Sequence, residues 1–434
     1  MFSALSANFS PIFSPLSIHL LQKMLFLQQE IQQALEQCRQ STLNLVADLD
    51  DHALRTQAHP DFSPVGWHLG HIAYTEALWL LQHCAKMPPL FPEYHRLFAA
   101  DGLPKAERVN LPSLGEIQDY LAQVRWQVLT YLVEAPVVEQ ERFWRFIVQH
   151  ESQHCETMIL VLLLQGKSSP LYPDQGEGWE RERELMVEIP AGKFRMGCDT
   201  MMALDNESPS YDCHLETYWI DAYPVTCGQY QKFMAAGGYE NRHWWSEAGW
   251  QWLEANRVSQ PLYWLGDARF ADHPVCGVSW YEADAYSRFV GKELPTEEQW
   301  EKAASWHPLK QRAQSYPWGD STPLGRCHHG HNLGSGEGLT VPVETYPNGK
   351  SVYGCYDLLG NVWEWTATWF DGYPGFQYFP YRGYSQVYFD EKHRVLKGGS
   401  WATRLWSLRS SFRNWYHPEV RQILAGFRCV KNRE

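Results

Sequence analysis

Apolar and polar positions in the first part of the chain follow the period of an α-helix. Residues 28–49 place apolar side chains at helical spacing. Pro64 opens a second helical stretch that runs to about Cys84. Ser113 and Glu116 have the spacing of a capping box ahead of Ile117, Leu121 and Val124, which predicts a third helix. A fourth runs from about Val138 to Leu164. Four long helices over 24–167 predict an up-and-down bundle. Residues 168–183, with Pro170 and Gly176-Glu177-Gly178, are expected to be a linker. Beyond them, over 184–434, strands are short and Gly, Trp and Asn are frequent. The few helices there are marked by the capping-box pairs Thr226/Gln229, Ser279/Glu282 and Thr296/Gln299. The chain is therefore expected to be α+β, a helical domain followed by an irregular one. Residues 1–23 are apolar and broken by Pro11 and Pro15, and lack a basic leader. They are expected to be a disordered tail, or an over-extended start with Met24 as the first residue.

Composition narrows the function. The net charge is −13 and no Lys/Arg-rich run occurs, so nucleic acid is not expected as a partner. No apolar run of about 18 residues is present, so no membrane span is expected. Ten cysteines at irregular spacings, without a C-x-x-C pair, read as reduced thiols of a cytoplasmic protein. The 21 tryptophans fit a fold that packs on Trp, or an aromatic pocket for a cation.

The chemistry is carried by histidines. His150 and His154 are one helical turn apart and project from one face, a spacing that lets one rigid helix give a metal two imidazoles. His71, upstream in Trp67-His68-Leu69-Gly70-His71, is the expected third ligand; His68 is expected to matter less. The run His150-Glu151-Ser152-Gln153-His154 also matches the zinc-protease pattern, with Glu151 as base, but no downstream third ligand is evident. Three neutral imidazoles leave open positions on a dication, and by spacing alone zinc suits them as well as iron.

Two stretches carry a family resemblance. Residues 60–165, through Ser63-Pro64, His68-Leu69-Gly70-His71-Ile72 and Gln149 to Met158, resemble the DinB-like four-helix bundle of the ergothioneine-type sulfoxide synthases. Residues 186–432 resemble the formylglycine-generating-enzyme module, a C-type-lectin-like fold. The motifs are Ile189-Pro190-Ala191-Gly192, Leu294-Pro295-Thr296-Glu297, Gly360-Asn361-Val362-Trp363-Glu364-Trp365, Lys397-Gly398-Gly399-Ser400-Trp401 and Gly426-Phe427-Arg428-Cys429. The copper-binding cysteine pair of formylglycine-generating enzymes is missing from Ser410–Trp415, so their activity is not expected.

The resemblance implies that His71, His150 and His154 hold Fe(II). It also implies that O2 and a thiol or selenosugar donor are used to join sulfur or selenium to imidazole C2 of trimethylhistidine (hercynine). Gln153 matches the position that hydrogen-bonds the imidazole, and Asn414 and Trp415 match those that hold the amino-acid end. Tyr378, Tyr381 and Tyr384 are the candidates for an acidic tyrosine that supplies a proton. Asp357 and Glu364 fall on a calcium-binding loop of the module, which makes a structural Ca2+ or an ordinary turn the two readings there.

Two departures lie where relatives bind the donor. Leu97-Phe98 is followed by Ala99-Ala100 in place of a tyrosine pair, and Tyr416 stands where many relatives carry Asp. Tyr416, His417 and Arg96 are the expected donor contacts, and a selenoneine-type synthase is one branch consistent with them. A zinc hydrolase or thiol transferase, and a non-catalytic binder of a small zwitterion, are the competing classes.

Overall fold

The structure, a computed structural model, describes residues 15–166, 185–264, 266–330 and 340–433. The expected tail up to residue 14 and the expected linker lie outside the described residues. The chain divides into two compact units. One is the chain up to Thr56 with Pro64–Glu151; the other is Gln57–Ser63 with Ser152–Glu434.

In the first unit, helix Pro15–Leu45 begins ahead of the expected boundary at residue 24. Its end at Leu45 precedes Asp50, whose side chain accepts from Ala53 N–H at 2.7 Å and caps a short helix Asp51–Arg55. Helix Val65–Glu76 continues as a π-helical segment, Ala77–Cys84. The capping box at Ser113 forms as expected and starts helix Leu114–Leu132. The last long helix, Val137–Leu164, runs from the first unit into the second. The core of the first unit combines apolar residues such as Leu35, Leu69, Leu80, Phe98 and Val124 with a buried charge network. Arg39 bridges Glu76 at 2.7 Å and Glu151 at 2.9 Å, and Arg125 bridges the same two carboxylates at 2.6 and 2.9 Å. Each buried charge thereby has an opposite partner, which offsets its desolvation.

In the second unit, a four-stranded sheet has the order Ala425–Gly426, Trp363–Trp369, Arg394–Lys397, Asn414–Tyr416, with the first pair parallel and the others antiparallel. A second, antiparallel sheet places Tyr218–Asp221 between Met186–Ile189 and Val430–Asn432, so strands from the two ends of the module flank one strand. All three expected capping boxes are present, at Thr226, Ser279 and Thr296. Trp300 and Trp365 are fully buried, so these two serve packing. All ten cysteines are free thiols. No helix among the described residues is long and apolar enough to cross a membrane.

The calcium reading does not survive the geometry at Glu364. Arg428 binds that carboxylate through two nitrogens, at 2.6 and 2.7 Å, and Trp300 Nε1 donates to it at 2.8 Å. A guanidinium already neutralises the site, and a divalent ion beside it would be repelled. Asp357 instead accepts Glu344 N–H at 3.2 Å in a turn at φ +50°, and burial raises its carboxyl to about 6.

Candidate metal centre and substrate pocket

His71 is fixed by a close approach that Gly70 permits. A Cβ at residue 70 would lie 2.1 Å from the Phe98 ring, so only glycine lets Phe98 pack there. That packing brings the Phe98 carbonyl within 2.6 Å of His71 Nδ1. A carbonyl only accepts, so Nδ1 carries the hydrogen and Nε2 keeps its lone pair. The ring also stacks on Trp67 with centroids 4.6 Å apart. Burial, opposed in part by the Phe98 hydrogen bond, lowers His71 to about 4. Burial and the neighbouring His71 push His150 well below its ordinary value. Burial thus favours the neutral form of both rings, the form that ligates metals.

One ligand atom from each of His71, His150 and His154 lies within 4.8 Å of the other two. Three imidazole nitrogens converging this way, one of them set by a backbone carbonyl, fit a borderline transition-metal dication and not Mg2+ or Ca2+. His68 is buried, but stands outside this cluster.

Glu151 is not placed as a base. Its carboxylate accepts from Arg39, Arg125 and Thr42, the last at 2.8 Å. These partners outweigh burial and hold it at about 2. A carboxylate committed to two guanidiniums cannot take a proton from metal-bound water. The zinc-protease reading of the His-Glu-x-x-His run fails on this geometry.

Within the second unit a pocket of about 160 Å³ is lined by Gln153, His154, Glu156, Trp363, Asn414 and Tyr416, among others. Gln153 accepts the Tyr384 hydroxyl at 3.0 Å. Of the three candidate tyrosines, Tyr384 is buried, Tyr381 is half-buried with its ring 6.5 Å from that of Tyr384, and Tyr378 is 55% exposed. Burial raises the Tyr384 hydroxyl well above its ordinary value.

Strand Asn414–Tyr416 sends Asn414 and Tyr416 to the pocket, and alternation turns Trp415 the other way. Trp415 stacks on Phe370 with centroids 4.2 Å apart and meets Tyr384 edge-on at 6.2 Å. The resemblance made Trp415 a contact of the substrate's amino-acid end; the rings that line the pocket are Trp363, Phe412 and Tyr416. The Tyr416 hydroxyl is buried and its ring lies 6.4 Å from Phe62. The His417 ring lies tilted against that of His393, centroids 4.0 Å apart, and His417 is not among the pocket's lining residues. Arg96 lies exposed on the short helix His95–Phe98 of the first unit. Glu156, which sequence reasoning passed over, is the buried acid of this pocket; its place two residues after His154 was the available signal.

Comparison with known proteins agrees with this layout. Residues 34–158, which include all three histidines, match the DinB superfamily, and residues 174–433 match the sulfatase-modifying factor enzyme 1-like domain. The chain is 39% identical over 428 residues to hercynine oxygenase of Mycolicibacterium thermoresistibile, covering 92% of this chain and 94% of the relative. It is 38% identical to hercynine oxygenases of Mycolicibacterium smegmatis, covering 90% and 96% of the two chains, and of Mycobacterium tuberculosis, covering 91% and 97%. The pairing of a DinB-type bundle with a sulfatase-modifying-factor-like module, matched along nearly its whole length, shows that the chain belongs to the hercynine oxygenase family of ergothioneine-type sulfoxide synthases.

Proposed function

We propose that this protein is a non-haem Fe(II), O2-dependent synthase that joins a chalcogen donor to imidazole C2 of hercynine. For a thiol donor the balance is one C2–H, one S–H and one O2 giving one C–S sulfoxide and one water. The observation that carries this reading is the convergence of His71, His150 and His154, the last of which lines the pocket together with Gln153. Bound ferrous iron would be held by these three imidazoles and would supply a redox-active centre with open coordination positions, the electrons that reduce O2 coming from the two substrates.

The chain's own groups have separable tasks. With its Oε1 taken by Tyr384, Gln153 presents its Nε2 end to a ring nitrogen of the imidazole. Asn414 addresses the carboxylate, and the rings of Trp363, Phe412 and Tyr416 face the quaternary ammonium, which has no hydrogen to donate. Tyr384 is committed to Gln153 and serves to orient it. Tyr381, packed beside it and half-buried, is our candidate for the proton donor.

The donor is where this chain departs from its relatives. Among the described residues that line the pocket with Tyr416 there is a carboxylate, Glu156, and no Lys or Arg. A donor with two carboxylates, such as γ-glutamylcysteine, would lack cationic partners there. We therefore propose a donor with a neutral body, of the selenosugar type or a neutral thiol. Aerobic incubation of the Fe(II) protein with hercynine and a panel of γ-glutamylcysteine, cysteine and a selenosugar, read by mass spectrometry, tests this. Product from the neutral donor supports the reading. Efficient product from γ-glutamylcysteine alone overturns the donor assignment, and no product from any donor counts against the reaction itself.

A further inference from the structure

Glu156 follows Gln153 by three residues on helix Val137–Leu164, so both side chains face the same wall of the pocket. Its carboxylate is buried and held by three donors from two other segments. Trp363 Nε1 and Ser400 Oγ donate to Oε1 at 2.7 and 2.5 Å, and Thr403 Oγ1 donates to Oε2 at 2.7 Å. The turn that presents the two hydroxyls is itself locked. Ser400 N–H donates to Thr403 Oγ1 at 2.8 Å, and Ala402 N–H donates to Ser400 Oγ at 3.2 Å. Gly398 and Gly399 enter that turn at φ +95° and +77°. A Cβ at Gly399 would come within 2.8 Å of Leu408. Trp363 comes from the central strand pair of the four-stranded sheet.

A helix can slide or rotate by small amounts unless something directional holds it. Apolar packing around Leu160 and Phe412 is not directional. Three hydrogen bonds converging on one carboxylate are, and a charged acceptor makes each of them stronger than a neutral pair. We infer that Glu156 is a positioning residue: its carboxylate fixes the rotation of this helical segment against the Trp363 strand and the Ser400–Thr403 turn, and so sets where Gln153 and His154 point. The inference deepens the proposed function by naming what holds its substrate-facing and metal-facing side chains in register.

The test uses the full chain loaded with Co(II) alone, whose visible spectrum reports the geometry of a histidine site without any turnover. In Glu156→Ala, Co(II) affinity is expected to fall about tenfold or more, with a changed spectrum, the usual size of effect for groups behind metal ligands. Glu156→Gln keeps one oxygen to accept from Trp363 and Ser400 and turns an amide N–H toward Thr403 Oγ1, which can accept, and is expected to restore affinity to within about threefold of wild type. Thr403→Val removes one donor without touching the helix and is expected to shift the spectrum in the same sense as Glu156→Ala. Wild-type affinity and spectrum in Glu156→Ala would overturn the inference. So would a Gln variant as impaired as the Ala variant, which would make charge and not positioning the property that matters. If Glu156→Ala does not fold, an unshifted spectrum in Thr403→Val overturns it. Hercynine titrated into the same Co(II) samples separates the two levels: wild type that binds Co(II) but not hercynine contradicts the proposed function and leaves the positioning role to be decided by the metal data.

Discussion

The Tyr384 hydroxyl donates to Oε1 of Gln153 at 3.0 Å, joining a loop of the module to the helix that also carries two histidines. This contact gives the tyrosines different expected phenotypes. Tyr384→Phe should weaken hercynine binding by about 0.5–1.5 kcal/mol, the ordinary value of one hydrogen bond, with the rate at saturation little changed. Tyr381→Phe should leave binding intact and lower sulfoxide formation by about 10²-fold or more, as loss of a general acid does. Binding isotherms and single-turnover rates for the two variants check this, and an exchange of the two phenotypes would reassign the acid to Tyr384.

The placement of Trp415 makes a second prediction. Wild type should prefer trimethylhistidine to histidine by about 1–2 kcal/mol if aromatic faces meet the quaternary ammonium. Phe412→Ala should reduce that preference, because Phe412 lines the pocket. Trp415→Ala should weaken both ligands alike, because Trp415 packs on Phe370 and Tyr384 and acts on the substrate only through them. Calorimetry with both ligands decides it; a loss of preference confined to Trp415→Ala would make Trp415 itself the partner of the ammonium.

Glu151 is predicted to hold the fold together without taking part in the chemistry. Glu151→Ala leaves Arg39 and Arg125 short of one buried partner and should cost about 3–5 kcal/mol in denaturant unfolding. The carboxyl is held at about 2, below its ordinary 4.5. Its folded value is depressed, so its contribution is present above 4.5 and fades as pH falls toward 2. The variant should still bind metal at temperatures where it stays folded. Unchanged stability with abolished turnover would identify Glu151 as a base after all.

At Asp357 the sign is opposite. Burial raises its carboxyl from 3.8 to about 6, so the fold favours the protonated form. Its contribution to stability is full below 3.8 and is lost as pH rises through 6. Asp357→Asn should therefore stabilise the protein near pH 8 by about 1–3 kcal/mol and have little effect near pH 4. Added Ca2+ should not shift the melting temperature of either protein. A Ca2+-dependent rise in wild type that Asp357→Asn abolishes would reinstate the calcium site.

Much of this fold was legible because it is written locally. The Ser113, Thr226, Ser279 and Thr296 caps each need only residues three apart, and all four form. His150 and His154 were legible for the same reason, since one helical turn fixes their separation. What the sequence hid depends on contacts between distant segments. Arg428 closing on Glu364, and Arg39 and Arg125 closing on Glu151, remove two carboxylates from the chemistry their motifs suggested. That Trp415 turns away from the wall formed by Asn414 and Tyr416 was not legible, because an Asn-Trp pair does not reveal which face of a strand looks into a pocket. Glu156 was missed because its three donors lie more than 200 residues away along the chain.

In the proposed reaction His71, His150 and His154 hold a ferrous ion that turns over O2 against hercynine. An oxygen electrode measures it most directly, with protein reconstituted by Fe(II) or by Zn(II), hercynine and a chalcogen donor, alongside His154→Ala. O2 uptake is expected to require both Fe(II) and hercynine, and to be absent with Zn(II) and in His154→Ala. Hercynine-independent uptake, or full uptake in His154→Ala, would contradict it.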